Sequence, residues 1–228
     1  KSGFALIRPP GHHAIPSGPM GFCLISNIAV ASRHAQTRGV NRVFIIDFDV
    51  HHGNGTQDVF YADSSVFFLS IHQAGIYPGS GAGDEIGTKE GHGHTLNVPL
   101  PAGAGDRTMQ TVFSELVRPA AERFKPEMIM VSAGFDAHFR DPLAGLQCTC
   151  VGYHTFTNML DTLANDLCNG RIAFFLEGGY DLHALAESVV NVFYALLDMS
   201  PVHELETVPI PEPDVTVLIS NLKAMHNL

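Results

Sequence analysis

The chain has 228 residues, 45% of them hydrophobic and only 16% charged, with a formal net charge of −10. That length and apolar fraction suit one good-sized globular domain and argue against a disordered or fibrous polypeptide. With 13 Lys plus Arg against 23 Asp plus Glu, and no basic run, neither direct nucleic-acid binding nor binding to an anionic membrane is expected.

In chain order, a short β-rich run at 4–7 leads into RPPGHHA, where a stiff double proline sets the direction of an adjacent pair, His12 and His13. Such a pair could arise by chance in a chain with 13 histidines. Beside a metal, however, both would be acid/base groups, because imidazole titrates near neutrality. A helix is predicted over about 26–38, then a strand over 42–50, RVFIIDFDV, which sets Asp47 and Asp49 among apolar residues and runs into His51. An unpaired carboxylate there would cost several kcal/mol or more, on the order expected for a buried charge. On an extended chain the i, i+2, i+4 spacing puts Asp47, Asp49 and His51 on one face, and a divalent cation would compensate their charge. Zinc suits a mixed Asp/His set with an open position. The plainer alternative, a helix-capping aspartate and a satisfied core histidine, accounts poorly for two aspartates in one apolar run.

Further strands are predicted at 65–72, 95–100, 127–135 and 171–179, and further helices at 106–124 (opened by Asp106), 152–168 and 181–198 (opened by Asp181). Most of the strands are continuously apolar, as in a sheet covered on both faces. The alternation predicts an α/β fold: an open, mostly parallel sheet with helices on both faces. Ligands bind such sheets beyond the carboxyl ends of the strands, and RPPGHHA, DVHHGNG, GFDAH and EGGYD all fall there. Asp136 at the end of the fifth strand is the natural third metal ligand, while its neighbour His138 reads as a loop histidine. Two carboxylates and one imidazole leave room for water and a substrate oxygen. Tyr180, behind two glycines, could donate to a developing oxyanion.

From about residue 200 the composition changes to a Pro-rich acidic connector and a short helical tail at 214–227, so residues 1–199 read as the catalytic unit and 200–228 as an appendage. The four cysteines, Cys23, Cys148, Cys150 and Cys168, form no CxxC pair, and a reduced, intracellular setting is expected. No apolar run reaches the ~18 residues of a membrane span. A chemically loaded loop so soon after the first residue reads as a chain cut from something longer.

Taken in order, RPPGHHA, GFC, DFDVHHGNGTQ, YPGSG, NVPL, SAGFDAH and LEGGYDL resemble the zinc-dependent histone deacetylase family over residues 3 to about 198, with HHGNGTQ and EGGY similar to its class II-like plant and bacterial branch. The resemblance implies the arginase/deacetylase fold, with the family's N-terminal third outside this chain. It implies zinc held by Asp49, His51 and Asp136, and His13 as general base and then acid. His12 is its electrostatic partner, hydrogen-bonded to Asp47, and Tyr180 polarises the acetyl carbonyl. It implies an acyl-lysine tunnel walled by Phe22 and Tyr77 and lined by Gly21 and Gly178, with Leu143 at the gate. A potassium ion is expected on Asp47, Ser70 and the backbone carbonyls of Asp49, His51 and Ile71. Asn54 stands where class I members often carry Asp, so His13 should be less cationic. Chromatin and transcription regulation are family roles.

Two other readings compete. A binuclear manganese ureohydrolase of the same fold would need more aspartates near Asp136, and an inactive acetyl-lysine-binding scaffold would not need Tyr180 with both His12 and His13. The apolar Leu143 favours acetylated protein lysine, or a neutral small amide, over acetylspermidine, because selection of a cationic amine calls for a carboxylate at the gate; deacetylation of a small N-acetyl amine, polyamine or arylalkylamine, is the alternative activity.

Overall fold

A computed structural model describes residues 2–202 and 207–228. The part of the Pro-rich connector at 203–206 lies outside the described residues. Six strands form one sheet: β1 (Ser2–Ala5), β2 (Val43–Asp47), β3 (Val66–Gln73), β4 (Thr95–Leu100), β5 (Met128–Ala133) and β6 (Ile172–Leu176). They lie in the order β1-β6-β5-β2-β3-β4, and every pairing is parallel. The helices are α1 (Asn27–Thr37), α2 (Asn54–Phe60), α3 (Asp106–Val112), α4 (Arg118–Phe124), α5 (Cys150–Cys168), α6 (Leu182–Leu196) and α7 (Thr216–His226).

Strand β2 shows why the sheet is covered on both sides. Its residues alternate, as side chains on a pleat must. Phe44 and Ile46 join the larger core with Leu116, Phe124, Leu160, Val192 and Ile219, while Val43 and Ile45 join a smaller one with Ile28, Ala29 and Phe60. Helices α3 to α7 thus cover one face, and α1 and α2 cover the other. Fully burying each such side chain stabilises the fold by roughly 1.5–3 kcal/mol. The tail helix α7 adds Ile219 and Leu222 to the larger core.

The expected elements are present, with shifts that have physical causes. Strand β2 stops at Asp47 rather than running to 50, because the Asp47 carboxylate accepts the Asp49 N–H at 3.1 Å and bends the chain. The short helix α2 gave no sequence signal, since HHGNGTQ lacks the apolar period of an amphipathic helix. The single helix expected over 106–124 is α3 and α4 joined by a π-helical turn, Phe113–Val117. Asp181 does cap α6, accepting from Ala184 N at 2.8 Å. Asp106 does not cap α3: Gly105 holds that position, and the Asp106 carboxylate accepts instead from Thr149 N and Oγ1, at the start of α5.

Candidate active site

Beyond Asp47 the chain makes two successive turns in which a carboxylate accepts the N–H two residues on. The second runs from His51 N to Asp49 Oδ1 at 2.9 Å. These turns, and not the shared face of an extended strand, set the directions of Asp49 and His51. Asp47 is thereby separated from them, and its Oδ2 lies 2.9 Å from His12 Nδ1. Asp136 arrives from the end of β5, anchored by Val50 N on its Oδ1 at 3.0 Å.

Asp49, His51 and Asp136 each offer a ligand atom, all within 4.8 Å of one another. His51 Nδ1 lies 3.1 Å from both Asp49 Oδ1 and Asp136 Oδ2. One ring nitrogen faced by two buried carboxylates is a donor set short of positive charge. The combination of one imidazole and two carboxylates is one that zinc accepts. Burial, then the neighbouring Asp49 charge, pushes Asp136 up to about 7. Although burial opposes it, hydrogen bonds to Asp136 and Asp49 raise His51 to about 10. Gly178 closes the floor: its N–H donates to Asp49 Oδ2 at 2.8 Å, and a Cβ there would lie 2.2 Å from Asp136 Oδ2.

The two histidine rings of the RPPGHHA loop lie with centroids 4.0 Å apart, tilted by 38°, but differ in charge. His12 is raised well above its ordinary value despite burial, by the carboxylates of Asp49, Asp47 and Glu177. His13 is lowered to about 3 by burial and then by the charge of His12. Its Nδ1 is 2.8 Å from Asn54 Oδ1, a neutral acceptor. That bond requires Nδ1 to carry the proton, so the free Nε2 is a base. Gly21 packs flat against this ring, since a Cβ at its φ of +52° would lie 2.4 Å from His13 Cδ2.

Tyr180 stands at the head of α6 with its N–H on Asp141 Oδ2 at 2.8 Å, and burial, then Asp49 and Asp136, keeps its phenol protonated. Its ring lies 6.2 Å from that of Phe22, and Tyr77 stands edge-on to His13 at 5.1 Å. Leu143 is half exposed on the loop that Asp141 ties to Tyr180, its own N–H on Asp141 Oδ1. Asp47 and Ser70 are register partners on adjacent strands. His138 is buried, and its Nδ1 accepts from Arg140 N.

Two contributors carried no sequence assignment. Asp141 is one. The other is Glu177, buried, whose carboxylate accepts from Gly11 N at 2.6 Å, His12 N at 3.0 Å and Ser132 Oγ at 2.9 Å, and so holds the histidine loop against β5. A glutamate inside an apolar strand end was the available signal.

The parallel sheet and the loaded strand ends define an α/β protein of the arginase/deacetylase type. Within that class, the histone deacetylase domain model matches residues 1–196, and the chain belongs to that family. It is 59% identical over 196 residues to histone deacetylase 14, chloroplastic, of Arabidopsis thaliana, covering 86% of this chain and 46% of that protein. Histone deacetylase 10, chloroplastic, of Oryza sativa subsp. japonica is 58% identical over 196 residues, covering 86% and 44%. The crystal structure of the HDA15 HD domain superposes with a TM-score of 0.88 at 40% identity, over 99% of this chain and 62% of that one. The chain spans about half the length of the curated relatives it matches.

Proposed function

We propose that the chain carries the chemistry of a zinc-dependent deacetylase, a hydrolase that removes the acetyl group from N-acetyl-lysine of histone or other proteins. The observation that supports this best is the convergence of Asp49, His51 and Asp136 beside a neutral His13. When bound, zinc supplies Lewis-acid polarisation of the acetyl carbonyl and of the attacking water. His13 Nε2 takes the proton from that water and returns it to the leaving lysine amine. Protonated His12, oriented by Asp47, stabilises the negative charge that builds as water attacks. The Tyr180 hydroxyl donates to the same developing oxyanion. Phe22 and Tyr77 clasp the four-methylene stem of the lysine, Gly21 lets the chain pass close beneath it, and Gly178 leaves room at the tunnel floor. Asp47 and Ser70, with the carbonyls of Asp49, His51 and Ile71, would hold a potassium ion, which would balance the remaining buried charge. The chloroplastic names of both plant relatives support an intracellular setting.

Metal analysis and acetate release test the reading together. The protein should retain one zinc and release acetate from an acetyl-lysine peptide; retention of no zinc, or a metal-loaded protein that releases none, overturns it. The neutral Leu143 should make that peptide a better substrate than acetylspermidine. Leu143→Glu should move the ratio of kcat/KM toward acetylspermidine by about tenfold or more, because an opposite charge near 4 Å is worth up to ~4 kcal/mol before desolvation. A parent that already prefers the polyamine would put the gate elsewhere.

A further inference from the structure

We propose that Gln57 and Glu85 act as a positioning pair that holds the tunnel-wall residue Tyr77 over the site and so sets the fit of the acyl-lysine stem. The proposal rests on the deacetylase reading above. Tyr77 is half exposed, and its ring stands 5.1 Å from that of His13 and 6.3 Å from that of His51. Its place therefore depends on the backbone path of the loop that follows β3.

That path is fixed by a polar network, buried at Gln57, His52, His72 and Asn97, partly exposed at Glu85 and exposed at Ser80, that reaches in from three elements. Ser80 Oγ lies 2.8 Å from His52 Nδ1, and Gly81 O lies 3.0 Å from His72 Nε2. Gly81, with φ of +88°, lies flat on both rings: a Cβ would come within 2.6 Å of His52 Cγ and of His72 Nε2. Glu85 Oε1 accepts from Gly81 N and Ala82 N, both at 3.0 Å, while its Oε2 accepts from Gln57 Nε2 at 2.6 Å. Gln57, buried on α2, uses its Oε1 to accept from Asn97 Nδ2 at 2.7 Å and His52 Nε2 at 3.0 Å. The chain of donors is then determinate. With Gln57 accepting, His52 carries its proton on Nε2 and receives the Ser80 hydroxyl on Nδ1. With Gly81 O accepting, His72 carries its proton on Nε2 and receives the Ser70 hydroxyl on Nδ1, at 2.9 Å.

Every link has one direction, so the network accepts an exchange of its two central residues and rejects either change by itself. Glu85→Gln must keep its oxygen on Gly81 and Ala82, which turns its NH2 toward the NH2 of Gln57. Gln57→Glu sets two carboxylates at the present 2.6 Å separation. With both changes, the new glutamate accepts from His52, Asn97 and the new glutamine, whose oxygen still accepts from Gly81 and Ala82. Each donor regains an acceptor.

The test compares the parent, both single variants and the exchanged pair in the full chain, for kinetics on an acetyl-lysine peptide, bound zinc, and amide hydrogen exchange across 76–82. Stem contacts act alike in ground and transition states. Each single variant should therefore raise KM about tenfold with kcat within about threefold, keep its zinc and exchange faster across the loop. The exchanged pair should return both readouts to within about threefold of the parent. Single variants with parental KM, faster exchange without a change in KM, or an exchanged pair as defective as the worse single would each overturn the proposal. If the parent releases no acetate, the deacetylase reading falls. The dissociation constant of the same peptide then replaces KM and decides the pair in the same way.

Discussion

Two corners of the molecule gather carboxylates against backbone N–H groups, and they end in opposite electrostatic states. In the tail corner, Glu212 stands at the start of α3 and accepts from Gly105 N at 3.1 Å, Arg107 N at 2.9 Å, and Thr108 N and Oγ1 at 2.8 and 2.6 Å. Against its partial burial, those bonds hold it below the usual glutamate range. At the sheet's carboxyl end Asp136 also accepts a backbone N–H, but it shares the space with Asp49 and is raised. A carboxylate that meets only donors locks structure together. Asp49 and Asp136 crowd on one point, and Asp136 carries the cost of that crowding; in the proposed function a bound cation would offset it, a trade of stability for function common at active sites.

The largest effect tests the crowded corner. Asp136→Ala should lose zinc and lower the deacetylation rate by on the order of 10³, since a metal's Lewis acidity is worth several kcal/mol. The chelated variant should melt within about 2–4 °C of the chelated parent, because relief of the Asp49–Asp136 opposition offsets the orphaned Val50 N–H and the lost His51 contact. A variant that keeps a full zinc equivalent, or a chelated variant that melts well below the chelated parent, would break the comparison. Tyr180→Phe comes next. It keeps the ring and removes one oxyanion donor, so kcat should fall about 10²–10³-fold with metal content and folding unchanged.

Asn54→Asp sharpens the contrast by adding a charge where the site holds a neutral acceptor. A carboxylate on His13 Nδ1 favours the imidazolium, so the pKa of His13 rises, typically by about 1–3 units. The base form then requires higher pH, and the acid limb of kcat/KM against pH should move upward; an unmoved limb would show that His13 is not the base. The smallest effect lies in the tail corner. Glu212→Ala removes a helix cap worth about 1 kcal/mol and should lower the melting temperature by roughly 2–4 °C, leaving kcat alone. Since the folded pKa of Glu212 is depressed, its contribution is present above the unfolded value near ~4.3 and is lost as pH falls through the folded one. Parent and variant should therefore converge in acid, as thermal melts at several pH values would reveal.

Much of the site was legible because it lies on local motifs. His12 and His13 follow a rigid Pro-Pro-Gly, Asp49 and His51 sit two residues apart, and Asp136 and Tyr180 end apolar runs. Asn54 was readable as the partner of His13 only through the family resemblance, and the two lie 2.8 Å apart. The partners of Glu177, Asp141 and the Gln57–Glu85 pair were not readable. Each acts on residues far away in the chain: Glu177 reaches Gly11, and Glu85 is read by Gln57 from another element. A lone acidic or amide residue carries no mark of what it will meet.

By itself the sequence determined the alternation of strands and helices, the covering of the sheet on both faces, and the gathering of chemistry at the strand ends. Those features follow from side-chain period and from the preferences of Pro, Gly and apolar runs, which act over a few residues. Only the tertiary structure decided where β2 stops, that Glu177 ties the histidine loop to β5, and that Glu212 rather than Asp106 supplies the carboxylate at the start of α3. Hydrogen bonds and charge interactions depend on distance through space, and for groups tens of residues apart that distance exists only once the chain has folded.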